Sequence, residues 1–184
     1  VDNVASFGKD MIISTGLADI KLINKLKKKI LTTWKKKKIK ANLAFLHCVS
    51  SYPTYFDESN LFAIKTLQKK IHNCIIGYSD HTIGIDASLI SVVLGSKIVE
   101  KHFTLDKNYS KFRDHQFSCD PKEMSVLVNK IRSLEKMAVN NLKLPQKSEL
   151  SSLKLNRRSC AVFGNLKKGE ILKTSNIIGV RPLS

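Results

Sequence analysis

Ile75-Ile76-Gly77-Tyr78-Ser79-Asp80-His81-Thr82 and Lys97-Ile98-Val99-Glu100-Lys101-His102-Phe103-Thr104 decide how the rest of the chain is read. Each is a short apolar run that leads to a histidine, and an apparent helix of small and apolar residues lies between them. Strand, polar cluster, helix and strand again is the order of a parallel α/β sheet, in which active sites form at the carboxyl ends of the strands. Two histidines at adjacent strand ends can converge on one cation. Neutral imidazole suits Mn²⁺, Fe²⁺, Co²⁺ or Zn²⁺, and oxygen ligands or water completing the shell would leave it open to substrate. A lone histidine beside an apolar strand is more often a satisfied structural residue, so both readings stand at this point. Asp80 and Glu100 suit groups that orient the rings from behind, or are helix and strand-end charges.

The same unit recurs upstream at Met11-Ile12-Ile13 and Leu43-Ala44-Phe45-Leu46. Asp19 suits the cap of a helix with Ile20, Ile23, Leu26 and Ile30 at the 3.6-residue period. A second helix shows Leu61, Ile64, Leu67 and Ile71 on one face. A third, from about Asp86 to Leu94, is nearly all apolar or small, which predicts deep burial, with Gly95 as its left-handed end. Asp120, Pro121 and Glu123 start a fourth, with Met124, Leu127, Val128, Ile131, Leu134 and Met137 as its core stripe. Past Asn140 the period fails. Residues 141–155 read as a linker, and Arg158–Val162 and Ile177–Val180 as short strands of a small β-rich module, with a tight turn at Leu166–Glu170. Residues 1–140 then hold four strand–helix units, half of a (β/α)₈ barrel. The start at Val1 and the stop at Ser184 suggest a fragment, whose open half-barrel is not expected to be active alone.

Each strand end carries polar candidates. Ser14-Thr15-Gly16 offers hydroxyls and a close backbone approach for an anion near a helix start, or is an ordinary turn. His47-Cys48-Val49-Ser50-Ser51-Tyr52-Pro53-Thr54 brings a histidine, hydroxyls and a phenol, or a loop anchored by an aromatic ring. In Arg113-Asp114-His115, Asp114 could hold a substrate hydroxyl or act as a base, or pair with its neighbour on the surface.

The 184 residues carry 32 Lys and Arg against 15 Asp and Glu, a formal charge of +17. Lysine far outnumbers arginine and is spread over most helical faces, so this reads as solvated surface. Steering of an anionic substrate and polyanion binding are the alternatives, and nucleic acid is not an expected partner. Lys35 to Lys38 suit an exposed helix end or loop. Cys48, Cys74, Cys119 and Cys160 lack the close pairing of a zinc knuckle and suit free thiols in a reducing cytosol. No apolar run approaches the ~20 residues that cross a bilayer, so no membrane contact is expected.

Taken in order, these strings resemble the sialic acid synthase family, the phosphoenolpyruvate-condensing N-acetylneuraminate synthases and their legionaminate and pseudaminate relatives. The resemblance rests on Ile13–Gly16, Leu46-His47-Cys48, Ser51–Thr54, Asn60-Leu61, Gly77–Thr82 with Gly84-Ile85, and Glu100–Asp106. It continues through Asp114-His115, Arg157-Arg158-Ser159, Lys168-Gly169-Glu170 and Val180-Arg181-Pro182. It implies a TIM barrel, of which this chain covers about the last four units, followed by the beginning of an antifreeze-like SAF domain at 156–184. It also implies that His81 and His102 bind a divalent metal, usually Mn²⁺, with Mg²⁺ or Co²⁺ as alternatives. Ser14 and Ser79 would contact phosphoenolpyruvate, and Tyr52 and Asp114 the amino-sugar acceptor. Ser50 stands where some members place an asparagine, and is included with the substrate contacts. Arg181 would reach the partner subunit's barrel in a domain-swapped homodimer.

The implied reaction condenses phosphoenolpyruvate with an N-acetylmannosamine-like sugar to a nine-carbon 2-keto acid, releasing phosphate in the cytoplasm. A legionaminate or pseudaminate synthase of the same chemistry is the alternative, and a non-catalytic remnant or polyanion-binding module the remaining one. The chain departs from the family pattern at Ser110–Arg113, where many members have a Gly-Pro step, and at Leu183. The basic segment Thr32–Asn42 is longer than usual and reads as a surface insertion.

Overall fold

A computed structural model describes residues 1–110, 113–138 and 142–181, without the side chains of 113, 154 and 155. Lys111 and Phe112 of the loop before Asp114, the boundary at Asn140, and Pro182 and Leu183 after Arg181 lie outside the described residues. The chain divides into two compact units, Val1–Val139 and Asn140–Ser184.

The first unit opens with a short helix α1 (Asp2–Ala5) and then alternates strand and helix: β1 (Met11–Ser14), α2 (Ile20–Lys37), β2 (Leu43–Cys48), α3 (Ala63–Lys70), β3 (Ile75–Asp80), α4 (Asp86–Val93), β4 (Val99–Lys101), α5 (Arg113–Phe117) and α6 (Pro121–Met137). The strands form one parallel sheet in the order β1-β2-β3-β4, with β1 paired to β2, β2 to β3 and β3 to β4. This is the sheet of a partial α/β barrel. β2 is buried along its whole length, as an inner strand covered on both faces must be. At Gly77 of β3, a Cβ would lie 2.5 Å from the Ile98 carbonyl oxygen and 2.5 Å from Leu46 Cδ2, so only glycine admits its neighbours there.

The helices follow from capping and period. Asp19 accepts from the Leu22 amide at 2.7 Å to start α2, which buries Ile23, Ile30 and Trp34 against Phe45 and Ile64 of the core. Basic Thr32–Asn42 is mostly exposed, as expected, but Trp34 within it is buried. Its first half is the end of α2, where Trp34 donates from Nε1 to the Ala5 carbonyl at 2.9 Å. Ile39 then bonds back to the Trp34 carbonyl. A large indole at an inward position outweighs the lysines that flank it. Leu61 and Ile71 flank α3 rather than belong to it, yet both pack against the core with Ile64 and Leu67.

Two expected stripes are only partly buried. On α4 the inward residues are Ala87, Ser88 and Ser91, whereas Ile90 and Val93 are 50% and 62% exposed. The reason is local: α4 packs beside the polar end of β3, where Ser88 donates to Asp80, so the helix turns its small residues inward. On α6, Asp120 and Glu123 form the expected capping box, with Pro121 at its first turn. Of its stripe only Leu127 is buried; Met124, Ile131 and Leu134 are half-buried, and Val128 and Met137 are exposed.

In the second unit, the linker expected over 141–155 contains a helical turn at Lys147–Glu149 that runs into α7 (Leu150–Asn156). Glu149 accepts from the Gln146 amide at 2.6 Å. Pro145 precedes that turn, where proline interrupts no helical hydrogen bond. β5 (Ser159–Val162) and β6 (Ile177–Val180) pair antiparallel, Ser159 opposite Val180. The expected turn is present, with the Glu170 amide on the Lys167 carbonyl at 3.1 Å. Among the described residues no helix is long and apolar enough to cross a membrane.

Candidate functional site

β3 and β4 run in register as Tyr78 with Val99, Ser79 with Glu100, and Asp80 with Lys101. The next residue on each side is a histidine, so register alone sets His81 beside His102. Their ring centroids are 5.3 Å apart at an interplanar angle of 77°. Nδ1 of buried His81 lies 2.8 Å from the Val49 carbonyl oxygen. A carbonyl only accepts, so Nδ1 carries a proton and Nε2 is the nitrogen turned to the site, 3.5 Å from Ser79 Oγ. Burial, and next the neighbouring His81, push the pKa of half-buried His102 below the usual imidazole value, against a weaker upward pull from Asp114 and Glu100. Neutral imidazole, the form that ligates metals, is thereby favoured.

Two aromatic rings enclose the pair. Tyr52 lies 4.2 Å from His81 and 5.8 Å from His102 between centroids, and Phe117 of α5 lies 4.9 Å from His102. The Tyr52 loop is pinned where the Thr54 amide bonds the His81 carbonyl at 2.9 Å and Thr54 Oγ1 bonds the Ser51 carbonyl at 2.9 Å. Desolvation, then the negative charges nearby, raise the Tyr52 phenol's pKa, so it remains a hydrogen-bond donor. Asp114, also on α5, places Oδ2 3.9 Å from His102 Nδ1.

Below the rings, Ser79 Oγ donates to Glu100 Oε1 at 2.7 Å. Cys48 ends β2 opposite Ser79, with its sulfur 3.8 Å from His81 Nδ1, and burial raises its thiol pKa. Ser50 is joined to this group through Gly16, whose Cβ, if present, would fall 2.0 Å from Ser50 Oγ and 3.5 Å from Cys48 Sγ.

Of the residues singled out in the sequence, His81, His102, Ser79, Tyr52 and Asp114 thus come together, and Ser50 borders them. Ser14 ends β1, exposed and opposite Leu46, two strands from the strand that leads to His81 and three from the one that leads to His102. Arg181 is exposed in the second unit. His47 is structural: it bonds the Ser59 carbonyl through Nε2 at 2.9 Å and stacks on Tyr78. Asp80 touches neither ring. It is buried behind the strand, accepting from the Thr82 amide and hydroxyl, each at 2.8 Å, and paired with Lys101 Nζ at 3.1 Å. Phe117 was not foreseen, since one apolar residue in a short loop helix carries no sequence signal.

Among the described residues, no group of three or more His, Cys, Asp and Glu side chains gathers to hold a metal. The chain offers two imidazoles side by side, a donor pair that suits first-row divalent ions whose remaining positions are filled by water or substrate.

Comparison with known proteins gives the setting. N,N'-diacetyllegionaminic acid synthase of Campylobacter jejuni is 38% identical over 179 residues, covering 97% of this chain and 52% of that protein. Pseudaminic acid synthase of the same species is 35% identical over 179 residues, with 97% and 50% covered. The crystal structure of N-acetylneuraminic acid synthetase from Leptospira borgpetersenii superposes with a TM-score of 0.72 at 36% identity, covering 83% of this chain and 51% of that one. The chain spans about half the length of the curated relatives it matches. The model of the NeuB family matches residues 1–143, and it is to the NeuB family, which includes the synthases of sialic, legionaminic and pseudaminic acids, that this chain belongs.

Proposed function

We propose that this chain supplies the catalytic strand ends of a metal-dependent synthase that joins phosphoenolpyruvate to an N-acetylmannosamine-like sugar. The observation that carries this is the juxtaposition of His81 and His102, each directly after the last registered pair of β3 and β4, beside Tyr52. Their ring centres, 5.3 Å apart, are within reach of one ion bound about 2 Å from each nitrogen. A bound Mn²⁺, or Mg²⁺ or Co²⁺ in its place, would supply Lewis acidity toward the sugar's aldehyde oxygen.

The chain's own groups do the rest. The Val49 carbonyl keeps His81 in the tautomer whose Nε2 is free to ligate. Tyr52, protonated, donates to the acceptor, and Asp114 accepts a sugar hydroxyl or takes a proton. Ser79 and Ser14 contact phosphoenolpyruvate, and Ser50 lies toward the sugar end. C3 of phosphoenolpyruvate bonds to the aldehyde carbon, whose oxygen takes up a proton. Water adds at C2 and phosphate departs, leaving the 2-keto acid. On the same reading residues 156–184 begin a SAF domain, Arg181 serves the partner subunit's site in a domain-swapped homodimer, and the protein works in the cytoplasm.

A second acceptor is favoured by one observation: the legionaminic and pseudaminic acid synthases match over 97% of the chain, whereas the N-acetylneuraminate-9-phosphate synthase of Homo sapiens matches over 74%. That favours a 2,4-diacetamido hexose. Phosphate release from phosphoenolpyruvate, measured with N-acetylmannosamine and with 2,4-diacetamido hexoses, decides between them. His81→Ala and His102→Ala should each lower the rate by more than about 100-fold, beyond what loss of an outer partner of a metal ligand causes. Turnover that survives chelation unchanged would refute the metal's role.

A further inference from the structure

Asp80-His81 and Lys101-His102 each place a charged residue directly before a site histidine, and the two charges are register partners. Asp80 Oδ2 and Lys101 Nζ lie 3.1 Å apart with side chains 0% and 2% exposed. Successive side chains of a strand point to opposite faces. The inner face therefore carries Ser79, Glu100 and the histidines, and the outer face carries Tyr78, Asp80 and Lys101.

The outer group is closely bonded. Asp80 accepts from the Thr82 amide and hydroxyl at 2.8 Å, from Ser88 Oγ on α4, and from the Tyr78 hydroxyl at 3.4 Å. Lys101 also donates to the Thr82 carbonyl at 2.7 Å. One β4 lysine thus grips β3 on both sides of His81, at the residue before it and the residue after it. A buried ion pair is a weak source of stability beside an apolar pair of the same volume. What this one provides is a single register and spacing for two strand ends, each of which carries a ligand.

We propose that Asp80 and Lys101 are positioning residues that set the spacing and orientation of His81 and His102 for one divalent cation. The inference rests on reading those histidines as a metal pair. It is tested on the purified protein by Mn²⁺ titration, following free Mn²⁺ by electron paramagnetic resonance, and by the ¹⁵N resonances of the imidazoles without metal. Lys101→Met should raise the Mn²⁺ Kd about 10- to 100-fold and shift the ring resonances of His81 and His102 while leaving His47 in place. Asp80→Asn combined with Lys101→Met leaves no lone buried charge, so it should regain thermal stability without regaining Mn²⁺ affinity.

A merely structural pair would recover both together. The proposal is overturned if the double variant binds Mn²⁺ within about twofold of the parent, or if the two ring resonances do not move. Should Lys101→Met fail to fold, the double variant and Lys101→Arg, which keeps the charge and should keep most of the affinity, decide the matter. His81→Ala tests the underlying reading separately. Unchanged Mn²⁺ binding there removes the metal pair, whereas the metal-free resonances still report whether the ion pair orients the rings.

Discussion

The carboxyl ends of β3 and β4 and the pair β5–β6 are both short pieces of sheet, held by opposite means. The first joins three registered residue pairs and continues into a buried polar network reaching from Ser88 through Asp80 to Lys101. The second joins four registered pairs, and its side chains are exposed or half-buried, with Val162, Ile177 and Ile178 among the exposed. Strand pairing is therefore not what secures a position here. Packed layers and satisfied buried polar groups are, since an isolated two-stranded sheet is marginal in water.

That contrast predicts a graded set of effects. Phe45→Ala, at a fully buried position of β2, should cost about 3–5 kcal/mol of stability by denaturant unfolding. A loss below about 1 kcal/mol there would break the comparison. Asp120→Ala removes the cap of α6 and should cost about 1 kcal/mol, read from the same midpoints.

A smaller effect concerns pH. Burial holds the His47 pKa below its ordinary value, so as pH falls the unfolded chain takes up the proton first. Stability should decline from about pH 6.5 downward, and His47→Gln should flatten that slope. Smallest of all, Ile178→Ala on β6 should change stability by about 0.5 kcal/mol or less. A larger loss would show that the hairpin's apolar side is covered.

The strand ends were legible in the sequence because apolar runs closing on His81 and His102 leave few other folds. Asp19 and Asp120 announced their helices by capping chemistry alone. What sequence did not convey was which way a side chain faces when two partners compete. Asp80 suited a group bonded directly to a ring, yet strand alternation turns it to Lys101 and Ser88 instead. The lysines around Trp34 hid an inward indole, and the apolar residues of α4 hid a helix that buries its serines. In each case the deciding quantity was the polarity of the surface met, which no local pattern records.

Gly77 carries one more consequence. With backbone and side-chain atoms of its neighbours only 2.5 Å from where its first carbon would stand, any larger residue would wedge β4 outward, and His102 with it. The absent methyl group works as the stop on a calliper whose jaws are the two imidazoles. Any change in the spacing of the two rings would begin at that residue and leave both jaws untouched.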